Sequence, residues 1–475
     1  MNEKARTLFK NLNYTVSANF LILGVSIILN LIVPKFIGIA EYGYWQLYVF
    51  YSSYVGFFHF GWIDGIYLKI GGKYYDDLDK SSLKGQLYYL FCMELVIAIF
   101  LVLYSMYFVI DYNKKIIFIS TAILLVVSNV KNFVLFIFQA TNMIKEYAQL
   151  SNNDRYIYLI GALTYLLLGG KNFYVLIFLD IITKIIITIW GLILIADVIQ
   201  SPIVKNKYLF REIFDNLRIG SKLMLGNIAS MLILGITQFF VEQKWSIETF
   251  GKLSFALSIS NMFMLFINSV SIVLYPLLRR TDESKLKQLY INVRSIFVPF
   301  TFFLLLLFFP IKSVLVWWLP EYKESLYFMG ILFPMIVYEG RVTMLVNTYL
   351  KTIRQEKIIL LCNLITLSIT IFLTLYAVFV LKNIHIVVLF MIFILMFRCI
   401  LSEELLSKKI NIHLGKLNIL EMFLSLSFIL SNIFLRTSQA FVLYVVIFII
   451  YILFSKIKIK ESINYFIIQF KQKNE

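Results

Sequence analysis

Residues 200–220 read QSPIVKNKYLFREIFDNLRIG, the longest of the basic segments that interrupt an otherwise apolar chain. Lys205, Lys207, Arg211 and Arg218 alternate here with Tyr208, Leu209, Phe210, Ile213 and Phe214. That mixture suits an amphipathic connector lying on a membrane surface. To either side the chain is hydrophobic, with runs at Leu21–Val33, Leu95–Ile110, Ile177–Ala196 and Ile371–Leu381. Of the 475 residues, 60% are hydrophobic and 15% charged, and the mean hydropathy is +0.83. Soluble domains average about 25% charged residues. At roughly 20 residues per crossing the chain has room for about fourteen transmembrane helices and no soluble domain.

The expected fold is therefore all-α and polytopic, with two pseudo-symmetric lobes of six helices joined by the connector. The lobes are 1–199 and 221–406, the connector is 200–220, and 407–475 hold two further helices and a tail. An offset of 208 residues relates the halves: Asn19 meets Asn227, Gly43 meets Gly251 and Phe58 meets Phe266. Among the spans, the second is expected at 44–70, the fifth at 155–169, the seventh at 219–241 and the last at 438–456.

The net charge of +17 could suggest a nucleic-acid binder, but its distribution does not. Of 44 basic residues, 30 fall on the side that holds the N-terminus, 10 on the other, and four inside spans. The positive-inside rule then makes both termini cytoplasmic. No partner nucleic acid is expected. The N-terminus lacks a cleavable signal pattern. Cys92, Cys362 and Cys399 and the three histidines show no ligand spacing, so no metal or cofactor is indicated.

Polar residues form stripes on helical wheels. Span 1 aligns Asn19 and Asn30, span 4 aligns Lys131 and Asn132, span 7 aligns Asn227 and Gln238, and span 8 aligns Ser258 and Asn261. Single polar residues often only bond a neighbouring helix; four full-length stripes favour a wet central cavity. In FHFGWIDGIYLKIGGK (58–73), an unbroken helix would turn Asp64 toward that cavity and His59 away from it. Gly61 and Gly65 would permit close helix approach.

Charges inside spans are costly and mark function. The cations are Lys131, Lys184, Arg341 and Arg398; the acids are Asp64, Glu94, Asp180 and Glu339. Asp180 and Lys184 are spaced for an i,i+4 pair. Lys131, Arg341 and Arg398 have no acid at i,i+3 or i,i+4 in their own spans and are expected to face an anionic ligand. The acids are candidates for proton or sodium coupling. No P-loop, H-E-x-x-H or G-x-S-x-G occurs, and no outer loop could form a catalytic domain. A transporter is expected rather than an enzyme.

The chain resembles the Wzx-type polysaccharide flippases of the multidrug/oligosaccharidyl-lipid/polysaccharide (MOP) superfamily. The likeness is carried by Asn11 and Tyr14, the early Asn19, Pro34, I-G-x-x-x-Y-G (Ile37–Gly43), Gly61 and Gly65. In the second half it is carried by R-I-G-S-K-L (Arg218–Leu223), F-G-K-L-S-F-A (Phe250–Ala256) and Y-P-L-L-R-R (Tyr275–Arg280). The resemblance implies a two-lobe bundle in a bacterial cytoplasmic membrane. It would carry undecaprenyl-diphosphate-linked oligosaccharide to the outer leaflet for O-antigen, capsule or exopolysaccharide. A polysaccharide polymerase and a chain-length regulator would be its partners. Lys131, Arg341, Arg398 and Lys184 would then hold the diphosphate. One departure is Gln238, near which many relatives carry an aspartate. Two other readings remain: a drug/cation antiporter, which favours an acidic interior, and a polymerase, which needs a large outer loop.

Overall fold

The computed structural model describes residues 24–203, 207–279, 281–412 and 414–472, and among them every regular element is a helix. The chain forms two compact units, Met1–Ile228 and Ala229–Glu475. The first contains α1 (Gly24–Ile37), α2 (Ile39–Ser52), α3 (Trp62–Ile70), α4 (Lys80–Phe108), α5 (Tyr112–Ala140), α6 (Ile144–Leu167), α7 (Phe173–Leu194) and the short α8 (Ala196–Gln200). Helix α9 (Lys207–Lys244) starts in the first unit and ends in the second. The second unit adds α10 (Ile247–Arg279), α11 (Glu283–Leu304), α12 (Phe308–Trp318), α13 (Lys323–Leu332), α14 (Met335–Gly340), α15 (Thr348–Thr352) and α16 (Glu356–Leu375). It closes with α17 (Ile384–Lys409), α18 (Gly415–Phe434) and α19 (Thr437–Gln472).

The helix starts are written locally. Asp111 accepts from the amides of Asn113 and Lys114 at 2.8 and 3.1 Å and so caps α5, Asp79 accepts from Ser82 at the head of α4, and Asn383 caps α17 through His385. Each cap satisfies amides that an α-helix leaves unpaired at its start. Within the first unit α5 is central, packed by α2, α3, α4, α6 and α7. Helix α4 is peripheral, and Val96, Ile99, Phe100, Tyr107 and Phe108 stand exposed along it. In the second unit α19 does the same with Ile450, Leu453 and Phe454. A water-soluble protein rarely leaves such contiguous apolar faces open; here they meet lipid. The protein is an all-α, multi-pass membrane protein.

Ten described helices are long and apolar enough to cross a membrane, and Pro320–Leu332 with Met335–Thr352, bent by 47°, makes an eleventh. The bend falls where Pro334 has no N–H to continue the ladder. The other expected spans are also helical but depart from the simple pattern. Helix α1 is described only from Gly24, and α6 is polar over its first half.

The expected span at 44–70 is not one helix. It breaks after Ser52, makes a 3-10 turn at Val55–Phe57, and resumes at Trp62 behind Gly61, whose φ is 84°. The wheel that set His59 opposite Asp64 therefore does not apply. His59 Nε2 lies 3.8 Å from Asp64 Oδ2, and its Nδ1 accepts from the Gly61 amide. The connector reading also needs correction, because from Lys207 the segment is the first part of a 38-residue helix. Its first turns are docked in the first unit rather than lying alone at a surface. Glu212 accepts from Lys69, Ser82 and Gln86, and Asn216 donates to Gln86 Oε1. Gly61, Gly65 and Gly220 meet there without side chains, and a Cβ on any of them would overlap facing backbone. The close approach read from G-x-x-x-G thus occurs, against α9. At the other end of the chain α19 runs to Gln472 where a short span and a tail were expected, packed along α11.

Candidate functional site

Four helices of the first unit bring polar side chains together. Helix α5 carries Lys131, α7 carries Asp180 and Lys184, α6 carries Asp154, Arg155 and Tyr158, and α2 carries Trp45 and Tyr48. Lys131 Nζ pairs with Asp154 Oδ2, and Lys184 Nζ with Asp180 Oδ1. Tyr48 donates to Asp180 Oδ2 at 2.6 Å, and Trp45 Nε1 donates to Tyr158 at 3.2 Å. Arg155 follows Asp154 on α6, is exposed, and makes no ion pair among the described residues. Side-chain exposures of 12–20% for the four paired groups show that they are sheltered but not sealed. Three cations against two carboxylates leave one positive charge in excess. Each ammonium has three donors and uses only part of them on its carboxylate. Such a face can take an oxyanion by adding to these pairs rather than breaking them.

The second unit treats its cations differently. Arg294 and Arg341 interleave with Glu403 and Glu421 at side-chain exposures of 0–5%. Arg294 Nε donates to Glu403 at 2.7 Å, and its Nη1 and Nη2 donate to Glu421 at 3.0 and 2.9 Å. Arg341 Nη1 donates to Glu403 at 3.2 Å and to Asn418 at 3.1 Å. Tyr290 donates to Glu403 at 2.7 Å. The quartet is neutral, buried and built from α11, the turn after α14, α17 and α18. Arg398 is likewise occupied. Its Nη1 holds both oxygens of Glu339 at 2.7 and 3.0 Å, its Nη2 reaches Ser230 and Asn363, and its Nε reaches Asn363.

The expectation that Lys131, Arg341 and Arg398 lack carboxylate partners is thus corrected. Each is paired, but with an acid on another helix, which a search at i,i+3 and i,i+4 cannot see. Glu339, a candidate for ion coupling, is the partner of Arg398. Glu94 is different: it is completely buried and makes no ion pair among the described residues. Asn129 Nδ2 donates to Glu94 Oε1 at 2.9 Å and to the Val55 carbonyl at 3.0 Å, while Glu94 Oε2 and Asn129 Oδ1 have no partner. Both orphans are acceptors, and a proton on the carboxyl would give Oε2 a hydrogen to donate.

The polar stripes divide. Asn19 lies outside the described residues. Asn30 bonds its own helix through Ser26 O, Asn132 and Ser258 are half-buried without a described hydrogen bond, and Asn227 and Asn261 are exposed. Gln238 is half-buried, while its neighbour Thr237 bonds Thr374 across the bundle. Sequence reasoning missed Asp154, Arg155, Tyr48 and Tyr158. The available signal was the polar first half of α6, which the fifth span omitted by starting at residue 155.

No protein-family model matches the chain, and no curated protein matches it. Solved structures do. The lipid II flippase MurJ aligns with a TM-score of 0.68 at 13% identity, over 96% of this chain and 100% of that one. A multidrug resistance MATE family transporter of the MOP superfamily aligns with a TM-score of 0.63 at 10% identity, over 84% and 98%. A MATE in complex with MaL6 gives 0.56 at 11%, over 85% and 96%. The chain shares the fold of these solved structures. Within this fold, the charged face described above lies wholly in the first unit and the sealed quartet wholly in the second.

Proposed function

We propose that this chain is a flippase. It carries an undecaprenyl-diphosphate-linked oligosaccharide from the inner to the outer leaflet of a bacterial cytoplasmic membrane, with both termini cytoplasmic, and supplies a polysaccharide polymerase and its chain-length regulator. The observation that carries this reading is the cation excess on α5, α6 and α7. Lys131, Arg155 and Lys184 form the diphosphate site, with Tyr48, Tyr158 and Trp45 beside it. Arg341 and Arg398, first expected to share that role, serve instead to hold the second unit together. A drug/cation antiporter would need the opposite balance of charge. Coverage supports the same choice, since MurJ matches 96% of the chain and the MATE structures 84–85%. Proton coupling rests on Glu94, a fully buried acid that makes no ion pair among the described residues.

The test is transport of a fluorescent polyprenyl-diphosphate sugar in proteoliposomes. A charge-assisted hydrogen bond contributes about 1.5–3 kcal/mol, so Arg155→Gln or Lys184→Gln should slow transport by roughly tenfold or more. Arg155→Lys should keep part of the rate, because the charge remains while the guanidinium fork is lost. Unchanged transport by the Lys131→Gln, Arg155→Gln, Lys184→Gln triple variant, at wild-type protein level, would refute the assignment.

A further inference from the structure

Away from the charged face, the second unit holds a pocket of about 320 Å³ where α12, α13, α18 and α19 come together. Its polar lining is Lys312, Lys323, Tyr327, Asn432 and Thr437, and no carboxylate lines it. Lys312 sits over the Phe308 ring at 5.6 Å and makes no ion pair among the described residues. Glu324, the nearest acid in sequence to Lys323, is engaged with Lys252 at 2.8 Å. Glu321 is exposed and outside the lining. Helices α13 and α19 begin at lining residues Lys323 and Thr437, so two helix starts add their positive ends to the two ammonium groups. A pocket so arranged repels cations and attracts a compact anion.

A second observation narrows the ligand. Asn432 Nδ2 is spent on the Phe428 carbonyl at 2.9 Å, but its buried Oδ1 has no donor. An orphaned buried acceptor costs about 1–3 kcal/mol, and because Asn432 lines the pocket, turning its amide toward the opening would let a ligand hydroxyl satisfy it. The wall beside it is apolar, with Val316 in the lining and exposed Val314 and Trp317 on the same helix. We propose that this pocket binds a hydroxyl-bearing phosphate ester, with the phosphate on Lys312 and Lys323 and the hydroxyl on Asn432. The apolar surroundings fit the head group of a glycerol or sugar phospholipid. The site is separate from the transport face, and either assignment can fail without the other.

The experiment uses the full chain in detergent, with bound lipid counted by native mass spectrometry. Phosphatidylglycerol should bind in preference to phosphatidylcholine. Lys312→Gln with Lys323→Gln should weaken phosphatidylglycerol binding tenfold or more, Lys312→Arg with Lys323→Arg should restore it, and Lys382→Gln should leave it unchanged. Glycerol phosphate without acyl chains is the competing probe. Competition at concentrations similar to the lipid identifies a free phosphate ester as the ligand, and weak competition identifies a lipid head group; both support the site. Equal binding of both lipids by the wild type, or undiminished binding by the double glutamine variant, would overturn it.

Discussion

Glu94 shows how a buried acid can be read without a partner cation. An ionised carboxylate there would lack compensation from a cation, whereas a protonated one turns the unpartnered Oε2 into a donor. Glutamine offers the same shape and a permanent donor. Glu94→Gln is therefore expected to leave thermal stability within about 0.5 kcal/mol of wild type, while removing the dependence of transport on a proton gradient. Glu94→Ala leaves Asn129 without its partner and opens a cavity, and should destabilise by about 2–4 kcal/mol. Differential scanning fluorimetry and flux with and without an imposed pH gradient separate the two effects. The quartet of the second unit makes a different case. Removing one partner of a buried ion pair typically costs about 3–5 kcal/mol. Arg341→Ala should then lower the yield and thermal stability of folded protein, not merely transport. A well-folded, inactive Arg341→Ala protein would return that residue to the substrate.

The elements that depart from expectation share one physical cause: long-range contacts decide them. The run 44–70 looks continuous because its residues are aromatic and apolar, yet Val55 gives its carbonyl to Asn129 on α5 and Gly61 takes a left-handed turn. Lys131 finds Asp154 23 residues away, and Arg341 finds Glu403 62 residues away. Local periodicity reports which residues are apolar and how long each helix runs. It does not report which helix faces which. The Asp180–Lys184 pair, which needs only one helix, was legible. The glycine contact between α3 and α9 was half legible, in that its residues were identifiable and its partner was not. It also makes the sharpest test at this scale. Overpacking costs typically about 1–3 kcal/mol, and backbone cannot step aside as a side chain can. Gly65→Ala and Gly220→Ala should each lower the melting temperature and the cross-linking yield between cysteines placed at 64 and 217. Unchanged values for both would mean that α3 and α9 do not meet there.

For the molecule as a whole, helix number and alternating charge give a definite topology. Reporter fusions at 202, 282 and 411 should score cytoplasmic, and fusions at 110, 246 and 383 external. These points fall between described helices, so the reporter need not interrupt one. Many of the residues counted on the inner side, Lys69, Lys84, Lys145, Arg155 and Arg294 among them, lie within helices rather than in loops. An external score at 202 would invert the second half. The two final helices are bound into their unit by Glu421 on α18 and by Tyr444 on α19, whose hydroxyl donates to the Phe302 carbonyl at 2.9 Å. Their deletion should abolish folding of Ala229–Glu475 rather than trim it.

Helix α9 has a mechanical consequence. Its 38 residues, about 57 Å at 1.5 Å per residue, belong partly to one unit and partly to the other, without a loop between Ile228 and Ala229. Compliance along such a helix concentrates where it has least to resist bending. Gly226 is that place: it lies two residues before the division, and a Cβ there would meet nothing within 4 Å. Glycine inside a helix is less stable than alanine by roughly 0.5–1 kcal/mol and is a common site of bending. Gly226→Ala should accordingly give a protein that is slightly harder to melt and slower to turn over. In that elastic sense the helix that begins within the connector read at 200–220 is a spring whose stiffness one methyl group can set.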